Sequence, residues 1–280
     1  HIDPRFVGVM DETCDMLGSI LETKSDVIIF PGSGRVGLEA AAVSVFEPGD
    51  RVLCVVNGVF GRMFKNIVER TGAVPVTLDS DWDRTVDAES IEKKVQEERE
   101  LKGIVIVHND TSTGIVNPIS RVAQIARRHD LLLIVYSISS AGGMEVKMDE
   151  IQADIVCASP QKAIGGLLGL SIVAVSPRAW NVMAYRRTPV RSFSFDLYKW
   201  MKMWIPKERG GQLTFGYRRQ PITMATHLVY ALHEAAKIVL EEGLEKRFKR
   251  HATAGEALRR GLKALSLELY PRSESYTSNT

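Results

Sequence analysis

Short apolar runs alternate with amphipathic segments along most of this chain, and this alternation limits the fold more than any other feature of the sequence. The runs are rich in β-branched residues and have the length of strands. Strands that are covered by helices on both faces read as continuous apolar runs, so the pattern predicts an α/β fold with a mostly parallel sheet. The strands are predicted at residues 26–30, 51–56, 74–78, 103–108, 131–136, 155–158 and 170–176.

The intervening segments have the spacing of amphipathic helices, and helices predominate after residue 177. A short apolar run at residues 267–270 predicts one more strand, which would open a second domain. We therefore expect a large domain at residues 1–243 and only the beginning of a small C-terminal α/β domain at residues 244–280. The helices are predicted at residues 6–21, 35–46, 61–72, 86–98, 119–128, 177–185, 195–204, 223–242 and 245–265.

Charge and cysteine content exclude several functional classes. Lys and Arg number 36 against 34 Asp and Glu, which gives a net charge of +2 without a basic cluster, so we expect no nucleic acid as a partner. The three cysteines form no Cys-x-x-Cys pair, which argues against a zinc cluster and against a disulfide scaffold. The longest uncharged apolar runs are too short to span a membrane. These features together predict a cytoplasmic protein.

Lys162 is the first candidate for chemistry. It follows the predicted buried strand 155–158 after only three residues, and glycines come soon after it. This places the lysine at the carboxyl edge of the sheet, where open α/β sheets bind their ligands. A partly desolvated lysine amine there is a nucleophile for carbonyl carbons, including the aldehyde of pyridoxal phosphate. As a bare residue, a lysine that simply points into water is the commoner outcome.

The turn at residues 31–34 is a candidate anion site. Its sequence Pro-Gly-Ser-Gly connects the predicted strand 26–30 to the predicted helix 35–46. Free amide groups at the start of a helix point towards a bound phosphate. The same pattern also fits an ordinary tight connection between a strand and a helix.

Five sequence blocks, in this order, resemble the class V, fold-type I aminotransferases that use pyridoxal 5′-phosphate, most of all the alanine–glyoxylate and serine–pyruvate branch. The resemblance runs from residue 1 to about residue 270 and implies a seven-stranded sheet. The blocks are residues 31–40 (PGSGRVGLEA), 47–52 (EPGDRV), 57–61 (NGVFG), 108–114 (HNDTSTG), and 139–143 (SSAGG) leading to Gln161-Lys162.

The resemblance implies a role for each end of the cofactor. Lys162 would hold pyridoxal 5′-phosphate as a Schiff base and would then move the proton between substrate and cofactor. The backbone amides of Ser33, Gly34 and Arg35 would bind the phosphate at the helix start. Gln161 would add a side-chain hydrogen bond to the same phosphate.

Four further residues receive roles from the resemblance. Phe60 would stack on the pyridine ring, and without the resemblance it reads equally well as a core residue. Ser112 and Thr113 would lie beside the ring and its 3′ oxygen, although as bare residues they are typical of turns. Thr223 would reach the phosphate of a neighbouring subunit, which implies a homodimer; the alternative is a simple helix N-cap.

The sequence departs from the family pattern at several positions. Tyr136 stands where the family has an aspartate that keeps the pyridine nitrogen protonated, and a tyrosine with a pKa near 10 cannot do this by charge. Pro160 replaces a small hydroxyl residue, and Leu167-Leu168 replaces a pair of prolines. The arginine that grips the substrate carboxylate is not assigned to any residue of this sequence.

The resemblance implies an enzyme that transfers an amino group from a small amino acid, alanine or serine, to a 2-oxo acid, glyoxylate or pyruvate. An alternative is a catalytically impaired homologue that binds the cofactor and dimerises, because Tyr136 lacks the charge of an aspartate. A third possibility is a cysteine desulfurase-like lyase, which needs a reactive cysteine on a mobile loop. Cys54 and Cys157 both fall in predicted buried strands, which disfavours this last class.

Overall fold

The computed structural model describes residues 3–212 and 217–279, and its centre is one sheet of seven strands. The strand order is β1-β9-β8-β7-β4-β2-β3. Two further strands of two residues each, β5 and β6, pair with each other outside this sheet. The strands are β1 (Asp26–Pro31), β2 (Arg51–Val56), β3 (Val74–Asp79), β4 (Leu101–Val107), β5 (Asn109–Asp110), β6 (Ile115–Val116), β7 (Leu132–Tyr136), β8 (Ile155–Ala158) and β9 (Leu170–Val175).

Ten α-helices surround or follow this sheet in the described part of the chain. They are α1 (Pro4–Ile20), α2 (Gly34–Val45), α3 (Val59–Arg70), α4 (Ala88–Glu97), α5 (Ile119–Arg128), α6 (Met148–Ile151), α7 (Pro177–Ala184), α8 (Leu197–Trp204), α9 (Thr226–Glu242) and α10 (Leu244–Ala264). The predicted α/β class is confirmed, and most predicted elements agree with the structure to within two residues.

The sheet is parallel except at β9, which runs antiparallel to its neighbours β1 and β8. All other neighbours run parallel, so the carboxyl ends of β1, β2, β3, β4, β7 and β8 meet at one edge. Every residue of β7, β8 and β9 is buried. Because successive side chains of a strand point to opposite faces, these strands are covered on both sides, as the continuous apolar runs predicted.

Two predictions about the carboxy-terminal part of the chain are wrong, one on a strand and one on a helix start. Residues 267–270 form no strand and pair with no strand of the described residues. The last long helix forms as predicted, and the later part of its apolar stripe is exposed: Leu258 is 65% exposed and Leu265 is 73% exposed. The preceding helix begins at Thr226 rather than at residue 223, and Ala225 is its N-cap, so Thr223 does not cap it.

Among the residues that the structure describes, no helix combines the length and the apolar composition needed to cross a membrane.

Candidate active site

The loops at the carboxyl edge of the sheet gather nearly all of the predicted site residues. Each loop follows a strand whose carboxyl end points to this edge, so residues that lie far apart in sequence become neighbours. Ser33, Gly34 and Arg35 follow β1, Phe60 follows β2, Ser112 and Thr113 follow β4 and β5, Tyr136 ends β7, and Gln161 and Lys162 follow β8.

The amino-terminal end of α2 presents unused backbone donors. Ser33 is its N-cap and makes no side-chain cap bond, and Val36 donates to the Ser33 carbonyl at 2.8 Å. No acceptor for the amides of Ser33, Gly34 and Arg35 lies within the described residues. Such a cluster of free donors at the positive end of a helix suits a phosphate group.

Gly34 allows this helix end to lie against the strand that leads to Lys162. A β-carbon at Gly34 would stand 2.4 Å from Ile138 Cδ1 and 3.1 Å from Ser159 Cβ. A larger residue would require the end of the Ile138 side chain to move and would press on Ser159. Glycine therefore favours this close approach of the α2 amides to the Lys162 segment.

Lys162 lies in a single π-helical turn, Pro160–Ile164, which we call the lysine turn. Its φ of −101° and ψ of −133° are not helical, so the backbone changes direction at the lysine itself. The side chain is exposed and makes no hydrogen bond or ion pair with any described residue. The partial desolvation expected from the sequence is therefore not present in this chain by itself.

Gln161 is oriented by a residue that the sequence did not single out. The hydroxyl of Ser159, which is fully buried, donates to the side-chain oxygen of Gln161. Because that oxygen is engaged, the amide nitrogen of Gln161 keeps two donors for an anion. The family position for a hydroxyl is occupied by Pro160, but Ser159 supports Gln161 from one position earlier.

Tyr136 and Phe60 form an aromatic pair at the same edge. Their ring centroids are 5.7 Å apart with an interplanar angle of 43°. Tyr136 is only 5% exposed, and this burial raises the pKa of its phenol above the ordinary value, so the group is neutral near pH 7. Phe60 is half-buried and packs beside the core rather than within it.

Asp110 organises this part of the site, although no role for it was predicted from the sequence. Its carboxylate is fully buried and accepts from the amides of Phe60 at 3.0 Å and Gly61 at 3.3 Å, at the start of α3. The amide and the hydroxyl of Ser112 donate to its other oxygen at 3.0 Å and 2.6 Å. One carboxylate thus fixes Phe60 and Ser112 relative to each other.

The hydroxyls of Ser112 and Thr113 are used inside the protein. Ser112 Oγ also accepts from the amide of Val59 at 3.0 Å, and Thr113 Oγ1 donates to the Asp110 carbonyl at 3.3 Å. These bonds favour the turn-forming interpretation of both residues. Their positions beside a cofactor ring stay a prediction.

His108 is a buried imidazole directly before this turn. Burial lowers its pKa to about 4, so the ring is neutral at physiological pH. Its Nδ1 has no hydrogen-bond partner among the described residues, and its backbone amide donates to the Tyr136 carbonyl at 2.8 Å. A buried histidine of this kind cannot be distinguished by sequence from an exposed one.

Thr223 is not joined to the other predicted residues. It is exposed, it precedes α9, and no hydrogen bond or ion pair links it to them in residues 3–212 and 217–279. Its predicted contact is with the phosphate of a second subunit, which a single chain does not contain.

The cysteines offer no reactive thiol of the desulfurase type. Cys54 and Cys157 are buried in β2 and β8, and burial raises the pKa of both thiols, that of Cys54 to about 12. Cys14 is half-buried on α1, and its pKa is also raised to about 12 by burial. A thiol at such pKa values carries almost no thiolate at neutral pH.

The residues at this edge fit a phosphorylated aldehyde at two of its three contact points. The α2 amides and Gln161 suit the phosphate, and the exposed Lys162 suits the aldehyde. At the third point, where a pyridine nitrogen would meet a carboxylate, the chain offers the neutral phenol of Tyr136.

A family comparison matches almost the whole chain. The model of the family described as "Aminotransferase class-V" matches residues 2–277. The chain is 34% identical to the (S)-ureidoglycine–glyoxylate transaminase of Bacillus subtilis, over 96% of this chain and 67% of that protein. It is 32% identical to an uncharacterised aminotransferase of Methanocaldococcus jannaschii, over 98% of this chain and 69% of that protein.

Solved structures agree with this assignment. The chain superposes on the alanine–glyoxylate aminotransferase of Nostoc sp. with a TM-score of 0.92 and 30% identity. The match covers 100% of this chain and 71% of the Nostoc chain. The sheet with its helices is therefore the fold of a pyridoxal phosphate-dependent aminotransferase.

Proposed function

Since this chain belongs to the class-V aminotransferases, whose members depend on pyridoxal 5′-phosphate, we propose that it transfers an amino group from alanine or serine to glyoxylate or pyruvate, with Lys162 as the residue that binds the cofactor. The observation that carries the proposal is the meeting of an exposed lysine, an unfilled helix amino terminus and an aromatic pair at one sheet edge.

Each residue has a task that follows from its position. The α2 amides and the Gln161 amide nitrogen hold the phosphate, and Phe60 presents a ring face to the pyridine. When bound, the cofactor supplies an electron sink for the charge that is left when a substrate proton is removed. Lys162 first holds the cofactor through its ε-amine. The same amine would also move a proton between the substrate carbon and the cofactor carbon.

The choice of substrates rests on the relatives. Two of them, from Bacillus subtilis and Nostoc sp., carry glyoxylate in their names as a substrate. A small 2-oxo acid is therefore the proposed acceptor, and alanine or serine is the proposed donor.

We also propose a homodimer. Leu167 and Leu168, which follow the lysine turn, are 58% and 62% exposed, and a second copy would cover them. The same copy would bring its Thr223 towards the phosphate.

The test is the absorption spectrum of the purified chain after addition of pyridoxal 5′-phosphate and desalting. We expect a retained visible band that shifts when alanine or serine is added. The band is expected to be absent in Lys162→Ala and present in Lys147→Ala, which removes a surface lysine paired with Glu145. Borohydride reduction followed by peptide mapping should place the label on Lys162. A wild-type chain without a retained band would refute the assignment.

A second candidate is a cofactor-binding homologue with little activity. Tyr136 favours it, because a buried neutral phenol gives the pyridine nitrogen no negative charge. For this candidate the band would be retained on Lys162 but would not shift with any of the small amino acids. The same spectra therefore separate the two functions.

A further inference from the structure

Helix α10 buries one side chain deeply, and that side chain is charged. The structure describes all 21 residues of α10, and Arg247 is the only one of them that is buried, with 7% of its surface exposed. A guanidinium carries five N–H donors and loses its hydration on burial, so it is stable there only if partners replace the water.

The partners of Arg247 belong to two loops of the candidate active site. Its Nε donates to the Gly142 carbonyl at 2.8 Å, and its Nη2 donates to the Ala163 carbonyl at 2.6 Å and more weakly to that of Ile164 at 3.4 Å. Ala163 follows Lys162 directly. The arginine therefore joins α10 to the lysine turn and to the loop after β7.

The carbonyls of Ala163 and Ile164 need a hydrogen-bond donor because of the backbone conformation at Lys162. The non-helical ψ of −133° at Lys162 interrupts the lysine turn. The last carbonyls of a short helical turn have no amide within that turn from which to accept a hydrogen bond. A cation at such a carboxyl end is favourable for both hydrogen bonding and the local dipole. Arg247 supplies that cation from 84 residues further along the chain.

The two loops also pack on each other at the same point. A β-carbon on Gly142, whose φ is +83°, would stand 3.1 Å from Ile164 Cγ1 and 3.3 Å from the Ile164 amide nitrogen. With so little space between the loops, Arg247 fixes both of them together rather than either one alone.

Glu242 holds the guanidinium in place. It accepts from Arg247 Nη1 at 2.6 Å and from Arg250 Nε at 2.6 Å, and the bonds from Arg250 and Arg247 lower its pKa to about 2. The side chain of Arg250 is 56% exposed, and it makes no hydrogen bond or ion pair with the described residues of the lysine turn. The two arginines thus share one carboxylate, but only one of them reaches the active site.

We propose that Arg247 is a positioning residue: it fixes the backbone that follows Lys162 and so sets the direction of the lysine amine. The proposal rests on the proposed function of Lys162 as the cofactor-binding residue. It adds a residue on α10, outside the sheet edge, to the machinery of this reaction.

Hydrogen exchange of the cofactor-free protein tests the contact itself. Directly after the lysine turn, the amides of Gly165 and Gly166 donate back to the carbonyls of Lys162 and Pro160, respectively. In Arg247→Lys we expect exchange of peptides covering residues 160–169 to quicken about tenfold, because one ammonium cannot replace the forked donors. Arg247→Met should show a larger effect, and Arg250→Gln should match the wild type. Equal exchange in Arg247→Lys and the wild type would overturn the proposal.

The loaded enzyme tests the consequence for Lys162. We expect Arg247→Lys to retain the cofactor but to shift the pH at which its visible band titrates, and to lower kcat about tenfold with KM changed by less than about twofold. Arg250→Gln should change neither quantity. An unaltered band titration in Arg247→Lys would leave Arg247 as a purely structural contact and refute the positioning role. If even the wild type fails to retain the cofactor, the proposed function fails, and hydrogen exchange still decides whether Arg247 orders the turn.

Discussion

At the scale of single residues, Tyr136 is the predicted departure from the family pattern that has the largest chemical consequence. A carboxylate there would keep a pyridine nitrogen protonated, whereas the buried phenol is neutral. We therefore expect Tyr136→Asp to raise the rate of transamination on the order of tenfold, which corresponds to about 1.4 kcal/mol of barrier. The measurement is single-turnover reaction of the loaded enzyme with alanine or serine.

Cofactor occupancy should be the same in Tyr136→Asp and in the wild type, because the phosphate and lysine contacts are unchanged. Tyr136→Phe is the control, since it keeps the ring beside Phe60 but adds no charge, and its rate should not rise. A folded, loaded Tyr136→Asp enzyme that is no faster than the wild type would contradict this account of Tyr136.

The residues that approach the candidate site were predictable, but their partners were not. Lys162 and the glycine turn at residues 31–34 follow strands, so sheet geometry alone placed them at one edge. Whether the Ser112 hydroxyl is free depends on Asp110 and on Val59, 53 positions earlier in the chain. No local pattern carries that information, and the same is true of Arg247.

At the scale of elements, the start of α3 depends on a carboxylate from another loop. Asp110 accepts from two amides of α3 and from Ser112, and all of these contacts are buried or partly buried. Asp110→Asn turns one acceptor oxygen into a donor that faces other donors. We expect this change to lower the free energy of unfolding by about 2 kcal/mol, measured by urea denaturation.

The matched control is the same substitution at the start of α4. Asp87 caps that helix by accepting from the amides of Glu89 and Ser90, and it lies at the surface. Asparagine is an equally good N-cap, so Asp87→Asn should change stability by less than about 0.5 kcal/mol. Equal losses in the two variants would mean that Asp110 acts only as an ordinary cap.

Periodicity predicted the elements well where burial decides them. The central strands of the sheet are apolar on both faces. A run such as β8 (Ile155–Ala158) is stable where both of its faces are covered, as they are in the middle of this sheet. The prediction failed for residues 267–270, because a short apolar run forms a strand only where it pairs with another strand, and its own sequence does not show whether it will. The helix α10 was predicted, but the exposure of Leu258 and Leu265 was not, because amphipathic spacing shows which face could be buried and not whether anything covers it.

At the scale of the whole molecule, the order of the strands was beyond sequence reasoning. The apolar runs are alike, and nothing in them shows that β9 inserts between β1 and β8 in the antiparallel direction. That insertion matters for the site. The Gly32 amide donates to the Gly169 carbonyl at 2.7 Å, so the turn before α2 is tied to the segment between the lysine turn and β9.

The stability of the whole fold should depend on pH through His108. Its pKa is about 4 in the folded protein against 6.5 for an ordinary histidine, so between these values the unfolded chain binds more protons than the folded one. Stability therefore falls as the pH falls through this window. From pH 7 to pH 5 the loss due to His108 is about 2 kcal/mol. The measurement is the urea midpoint of the cofactor-free protein at both pH values.

His108→Gln removes the titrating group. The difference in unfolding free energy between pH 7 and pH 5 should then be about 2 kcal/mol smaller than in the wild type, even if the variant is less stable at both pH values. The exposed His227 on α9 gives the matched control, and His227→Gln should keep the wild-type difference. Carboxylates with lowered pKa values, such as Glu242 at about 2, lose their contribution only at more acid pH, so they do not obscure this window. The same difference in all three proteins would show that His108 is not buried in its neutral form.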